Sequence, residues 1–494
     1  VAQYTHEIIG ASFKTSPFIH QLKELEHHGL VAARALFWQM RTGKSKTIVD
    51  TACLAFTLGT IDTVLVFAPN GVHENWVQRE LPLHHWDNVD RTAYFWRTDQ
   101  RDDPEFVEAF NAAMETKKKL SWFAFSSAVM TRDDVRKLVK KVVRKRRCMV
   151  VFDESHDWRS PGSKRTKMAR ALTLHCPMRR ILTGTSADNS PLHLFTQYEL
   201  LGSDSLGFST FEDFENRYAE YEIKKTFHEK QYPKLKDYKN LDELRAKIAP
   251  LTSVVLRTDC HDLPALVPDR RTIELTEEQK RVYRELQHQY RLELEQHGQV
   301  SVGEKTQKMV KLQQVVSGFL KDEYGKVHWL AGGNPRLNVL KHEVLMTAGR
   351  VIVWCQFHED LDAAAAGLRA IGREVLEYHG RTSPKMKEKA RRSFDPLSGD
   401  GDYGPDLVAQ AQSGGAGLAL GADRIIWYSH TFSAITRSQA DERATIMGGK
   451  NIRVTDFVAP GIDPYILDHV KKNVTIADAL TRQGLREVLD RVSI

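Results

Sequence analysis

Gln39-Met40-Arg41-Thr42-Gly43-Lys44-Ser45 joins an apolar, strand-like run, Ala35-Leu36-Phe37-Trp38, to a stretch of helical character, Lys46 to Leu58. A strand, a tight loop with Gly-Lys-Ser and a helix make a cradle for phosphate. Backbone N–H groups and the helix N-terminus face the anion, Lys44 reaches the β- and γ-phosphates, and the Ser45 hydroxyl can ligate Mg²⁺. The first glycine of the full pattern is absent, since Trp38 stands there. Gly-Lys-Ser alone leaves nucleotide binding and an ordinary turn both open. A second segment narrows the choice. Cys148-Met149-Val150-Val151-Phe152 reads as a buried parallel strand and ends in Asp153-Glu154. Carboxylates at a strand's C-terminal end face the crevice where open α/β sheets bind ligands. Asp153 there would hold Mg²⁺, and Glu154 would orient and deprotonate an attacking water. A solvated Asp-Glu turn rarely follows five apolar residues directly, so the two segments together point to a nucleotidase.

The elements that must carry these residues alternate. Strands are expected at Arg34–Trp38, Val64–Ala68, Trp122–Ser126, Cys148–Phe152 and Arg180–Thr183, with helical stretches between several of them, as in a parallel sheet covered on both faces. From Pro191 to about Gly349 the pattern is more polar and helical, and Thr276-Glu277-Glu278-Gln279 is a capping-box start for a helix towards Gln296. Strands return at Val351–Cys355, Glu374–Tyr378, Asp406–Gln410, Arg424–Tyr428 and Arg453–Phe457. Asp395 to Pro405 reads as a surface loop. The expected organisation is a first ATP-binding lobe over residues 1–200, a helical insertion over 201–334 and a second lobe over 335–494.

With 494 residues, 41% hydrophobic and 27% charged, the chain has the composition of a soluble protein of two or three domains. No apolar run approaches the roughly 18 residues of a membrane span, and no secretory signal opens the sequence. Cys53, Cys148, Cys176, Cys260 and Cys355 are scattered singly, without a zinc pattern, which fits reduced thiols and a cytoplasmic setting. The net charge of +7 permits a polyanionic partner. Arg136, Lys137, Lys140, Lys141, Arg144, Lys145, Arg146 and Arg147 crowd into twelve residues before the Asp-Glu strand. A solvated helix face and contact with a phosphate backbone are both open for them. Trp76 and Trp354 read as packing aromatics rather than base-stacking platforms.

In their order, these pieces resemble the Swi/Snf-type ATPases of helicase superfamily 2, over roughly Pro17 to Pro464. Gln21 sits where that family places a glutamine upstream of the phosphate loop. Ala68-Pro69 with Asn75-Trp76 and Glu80, Asp153-Glu154-Ser155-His156, and Leu182-Thr183-Gly184-Thr185-Ser186 with Asn189 look like its next motifs. In the second lobe Tyr378-His379-Gly380, Ser413 to Leu420 with Gly417, and Gln439-Ala440-Asp441-Glu442-Arg443 complete the series. The resemblance implies an α/β fold of two RecA-like parallel-sheet lobes with a helical insertion between them. It implies ATP and Mg²⁺ as cofactors, held by Gln21, Thr42, Gly43, Lys44, Ser45 and Gly417 for nucleotide and by Ser45 and Asp153 for metal. Glu154, Asp153, Lys44 and Arg443 would carry the chemistry. The implied activity is ATP hydrolysis coupled to movement along double-stranded DNA, in a compact bacterial or viral member with no membrane partner. Arg159, Lys164, Arg165 and Lys167 then fall on a loop where the family approaches a DNA strand, with a solvated face as the other open reading.

Four positions depart from the family pattern: Arg41 and Ser186 stand where Gly and Pro are usual, Ile446 stands at the arginine-finger position, and Gly449 replaces a terminal Gln. Arginine fingers contribute on the order of 10³–10⁵ in rate, so Arg443 or another arginine must substitute, or hydrolysis is weak. A strand-separating helicase, an ATP-gated clamp and the motor subunit of a larger assembly remain rival readings.

Overall fold

A computed structural model describes residues 12–97, 104–184, 190–225, 231–256, 260, 264–297, 302–394, 404–413, 420–444 and 450–471. Thr185, Ser186, Asn189, Gly417, Ile446, Gly449 and most of the Asp395–Pro405 segment lie outside them. The chain divides into two compact units, Val1–Cys260 and His261–Ile494.

The first unit is built on seven parallel strands: β1 (Ala33–Trp38), β2 (Thr63–Ala68), β3 (Arg91–Phe95), β4 (Leu120–Ser126), β5 (Cys148–Asp153), β6 (Met178–Leu182) and β9 (Thr252–Val255). Their order across the sheet is β3-β4-β2-β5-β6-β1-β9. β2, β4 and β5 are buried along their whole length because both faces of the sheet are covered. Phe67 and Phe152 look to one side, with ring centroids 5.5 Å apart, and pack with Trp158 and Phe125. Val66 and Val151 look to the other side, onto Ile48, Ala52 and Trp76. Continuous apolar runs are what such doubly covered strands require. β3 and β9 were not expected; both are edge strands, β3 partly buried throughout and β9 buried only at Val255, so they lack that signal.

An antiparallel hairpin, β7 (Ala219–Lys225) and β8 (Gln231–Tyr238), belongs to the first unit. The second unit contains the long helix Glu277–His297, whose capping box is formed in both directions: Gln279 N–H donates to Thr276 Oγ1 at 3.1 Å, and Thr276 N–H to Gln279 Oε1 at 2.9 Å. With the helix Val302–Val316 it sends Tyr283, Tyr290, Met309 and Leu312 into the core that lines one face of the second sheet. A short hairpin, β11 (Phe319–Lys321) and β12 (Val327–Trp329), follows. Residues 201–334, read from the sequence as helical, thus contribute strands as well.

The second sheet has six parallel strands: β10 (Leu266–Thr272), β13 (Val351–Cys355), β14 (Val375–Tyr378), β15 (Asp406–Gln410), β16 (Arg424–Trp427) and β17 (Ile452–Val458). Their order is β10-β17-β16-β13-β15-β14. β10 contains Pro268 and lies at the sheet edge, the place where a strand tolerates a missing N–H. Past the end of β13, the fully buried Asp360 in the helix His358–Ala370 accepts hydrogen bonds from Ser317 Oγ (3.3 Å) and Ser429 Oγ (2.5 Å). The fold is therefore mixed α/β with two large parallel sheets, the arrangement of two RecA-like lobes. Among the described residues no helix is long and apolar enough to cross a membrane.

Candidate nucleotide site

The C-terminal ends of β1, β5 and β6 are neighbours. Leu36 and Asp153 both register with Leu182, so the loop after β1 and the carboxylates ending β5 emerge at one level of the sheet. β1 is followed by the phosphate loop and then by the helix Lys44–Thr57, two residues longer at its start than the sequence pattern indicated. Gly43 caps that helix at φ +85°, a left-handed conformation, and a Cβ there would lie 1.9 Å from Gln21 Nε2. Glycine is thus required twice over, by backbone and by space. Gln21 is buried and ties two segments together: its Oε1 accepts from Phe18 N–H at 2.8 Å, and its Nε2 donates to the Gly43 carbonyl at 3.0 Å. His20 lies 2.7 Å from the Thr42 carbonyl, and Thr42 Oγ1 donates to the Gln39 carbonyl at 2.7 Å.

Arg41 stands where the family has glycine, and its φ of +67° explains that preference. The loop keeps its left-handed turn and carries an L side chain there, at a cost of about 1–2 kcal/mol. Lys44 is folded back on the loop, its ammonium donating to the carbonyls of Trp38 (2.7 Å) and Gln39 (3.3 Å). Ser45 follows it in the first turn of the helix, where N–H groups lack intrahelical acceptors.

At the end of β5 both oxygens of Asp153 are held. Oδ1 accepts from the Glu154 N–H at 3.0 Å, and Oδ2 from the indole N–H of Trp76 at 2.9 Å. Burial, then the charge of Glu154, push the Asp153 carboxyl up to about 6, against the pull of Trp76 and of the Lys44 ammonium. Glu154 is itself left-handed at φ +48°. Its Oε2 lies 3.4 Å from Thr183 Oγ1 and 3.3 Å from His156 Nδ1, and His156 and Thr183 are 3.1 Å apart. Ser155 is buried and donates to Gln197 Oε1 at 2.7 Å. The structure therefore gathers Gln21, Thr42, Gly43, Lys44, Ser45, Asp153 and Glu154 in one unit, with His156 and Thr183 beside the glutamate. Trp76 is a packing aromatic as expected, 1% exposed, but it also anchors Asp153. Sequence periodicity could not place its N–H, which depends on a π turn at Trp76–Glu80.

Among the described residues no group of three or more His, Cys, Asp or Glu could hold a metal unaided. Mg²⁺ takes one or two protein oxygens and completes its shell with substrate phosphate and water. The donor set fits: the buried Asp153 carboxylate, held through both oxygens, offers a hard oxygen ligand, and Ser45 adds a neutral one.

The basic run before β5 separates by geometry. In the helix Asp133–Lys145, Val135, Val139 and Val142 are buried, while Lys137, Lys140, Lys141, Arg144 and Lys145 are exposed. Arg146 points inward to Asp62, Nε to Oδ1 at 2.8 Å. Of the second cluster, Lys164, Arg165 and Lys167 are not on a loop but in the first turn of the helix Lys164–Thr173. Arg165 is spent on Trp158, 5.0 Å above the ring, and on the Asp157 carbonyl. Arg159, Lys164 and Lys167 are exposed.

In the second unit Arg443 ends the helix Ala434–Arg443 and is buried, its carbonyl accepting from Leu420 N–H at 3.0 Å. Asp441, in the same motif, accepts from Trp427 Nε1 and pairs with Arg437, each at 2.7 Å. Arg437 also pairs with Asp456 at 2.7 Å and lies 4.4 Å over Trp427, a role its sequence position did not announce.

A family model described as SNF2-related domain matches residues 18–321. The chain is 24% identical over 320 residues to an uncharacterized ATP-dependent helicase of Mycoplasma pneumoniae, covering 63% of this chain and 28% of the relative. It is 25% identical over 404 residues to the TATA-binding protein-associated factor mot1 of Schizosaccharomyces pombe, covering 70% and 20%. It thus spans about a quarter of the length of these relatives. Among solved structures, the SWI2/SNF2 ATPase core of Sulfolobus solfataricus in complex with dsDNA is similar at 18% identity, covering 98% of each chain with a TM-score of 0.41.

Proposed function

We infer, from a chain that belongs to the SNF2-related domain family, an ATP-dependent translocase that hydrolyses ATP and tracks along double-stranded DNA. The observation that carries this reading is that a phosphate loop after β1 and an Asp-Glu pair at the end of β5 emerge on either side of β6, at one level of one sheet. Lys44 exchanges the carbonyls of Trp38 and Gln39 for phosphate oxygens, while the Gln21 clamp fixes the loop. Ser45 and Asp153 would hold Mg²⁺, which would supply positive charge beside the phosphates. Glu154 takes a proton from the attacking water, and its Thr183 and His156 neighbours orient it. By the family pattern Arg443 is the candidate for charge stabilisation, since Ile446 stands at the arginine-finger position, and Gly417 is a candidate nucleotide-binding residue. Arg159, Lys164 and Lys167 supply contacts to a phosphate backbone, which carry no base information.

The test compares ATP hydrolysis with duplex DNA, single-stranded DNA and RNA. Stimulation by duplex whatever its sequence, weakened steeply by salt, and displacement of a triplex strand are the expected results. Unwinding of a forked duplex without triplex displacement would replace this reading with a strand-separating helicase. Tight ATP and DNA binding with no stimulated turnover would replace it with a clamp, which the Arg41 and Ile446 departures favour.

A further inference from the structure

Trp76 begins a π turn, Trp76–Glu80, set between two short helical segments, Val72–Asn75 and Leu81–His84. The Leu81 N–H reaches back five residues to the Trp76 carbonyl. Such a turn inserts a residue into the helix, re-aims the side chains around it, and is frequent at functional sites. Here it delivers the indole N–H to Asp153 Oδ2 at 2.9 Å, while the Glu154 N–H holds Oδ1 at 3.0 Å. With a donor on each oxygen the carboxylate plane cannot rotate. Each oxygen keeps a further acceptor direction for a ligand.

We propose that Trp76 is a positioning residue for the metal-binding carboxylate, holding Asp153 in the orientation that receives the Mg²⁺–nucleotide complex. This rests on the nucleotide-site reading above. Trp122, Trp158 and Trp354 are buried with no hydrogen-bond partner on the indole N–H among the described residues, whereas the N–H of Trp76, in the core of Ile48, Val66 and Val151, meets the carboxylate of the site. Groups that orient a metal-binding side chain typically change metal affinity by 10–100-fold when lost.

Trp76→Phe keeps most of the ring and removes the donor. Mn²⁺ serves as the probe, titrated by electron paramagnetic resonance into the full chain with saturating ADP. Nucleotide affinity in EDTA is measured alongside with a fluorescent ADP. The expected result is a Mn²⁺ dissociation constant raised about 10-fold or more, with metal-free nucleotide affinity unchanged. A structural role would weaken both together. Should Trp76→Phe fail to fold, benzothienylalanine placed at position 76 by codon suppression keeps the bicyclic shape with sulfur in place of N–H. Wild-type Mn²⁺ affinity in either folded variant overturns the proposal. Wild-type protein that binds Mn²⁺ no better with ADP than without overturns the nucleotide-site reading, and this inference with it.

Discussion

Arg146 separates the structural part of the basic run from any nucleic-acid contact, and Arg146→Met tests the separation. Its side chain is 1% exposed and that of Asp62 is 3% exposed. The guanidinium donates to Asp62 Oδ1 (2.8 Å) and to the Asp62 carbonyl (3.0 Å). It also donates to the carbonyls of Ala113 (3.0 Å), Met114 (3.2 Å) and Thr116 (2.5 Å), which end the helix Pro104–Glu115 and have no intrahelical partners. Methionine fills the volume but leaves these carbonyls without their donor and, among the described residues, Asp62 with only the exposed Arg147 guanidinium for a cation, 3.9 Å away. Removing one partner of a buried ion pair costs about 3–5 kcal/mol, which in a unit of this size lowers Tm on the order of 10 °C. Melting followed by circular dichroism reads the effect directly. Adding Asp62→Leu should recover part of the loss, because an apolar pair is cheaper than one stranded charge. A Lys137→Ala, Lys140→Ala, Arg144→Ala variant should melt within about 0.5 kcal/mol per site of wild type. If Arg146→Met melts like wild type while its nucleic-acid affinity falls, the assignment of Arg146 to the core is wrong.

Lys44→Ala should lose ATP binding, whereas Glu154→Gln should bind ATP and release almost no phosphate; unchanged phosphate release in Glu154→Gln would remove Glu154 from the chemistry. Arg443→Ala should cut stimulated turnover by at least the roughly hundredfold typical of one lost transition-state donor, with ATP affinity much less affected, and Ile446→Arg should be neutral or accelerating; a robust rate untouched by Arg443→Ala would place the charge donor elsewhere. Burial pushes Asp360 up to about 7 from 3.8, against the pull of Ser429, Arg336 and Ser317. Its folded form therefore holds a proton more tightly than its unfolded form, so its contribution to stability is full below 3.8 and lost as pH rises through about 7. Asp360→Asn should flatten that part of the Tm–pH curve, and an identical slope in wild type and variant would show that Asp360 does not titrate in this window.

The chemistry-bearing residues were legible in the chain because their neighbours are local. Gly43-Lys44-Ser45 sits on a strand-to-helix junction, and Asp153-Glu154 ends a run whose apolar continuity reports a doubly covered strand. Ten strands were readable for the same reason, each buried through most of its length, whereas the edge strands β3, β9 and β10 were not, since half-exposed and Pro-containing segments carry no period of their own. The left-handed backbone at Arg41 could be inferred only as a departure from a family glycine; its φ of +67° is a property of the folded loop. Long-range pairings were decided by tertiary structure alone. Eight basic residues within twelve positions look alike in sequence, yet Arg146 faces Asp62 and three helix-end carbonyls because the helix Asp133–Lys145 ends one residue before it. Trp76 and Asp153 are 77 residues apart, and only the π turn and the packing of that segment over β5 bring an indole N–H to a carboxylate. Hydrophobic period records which side of an element is buried; it holds no information about which polar atom a buried side chain will meet there.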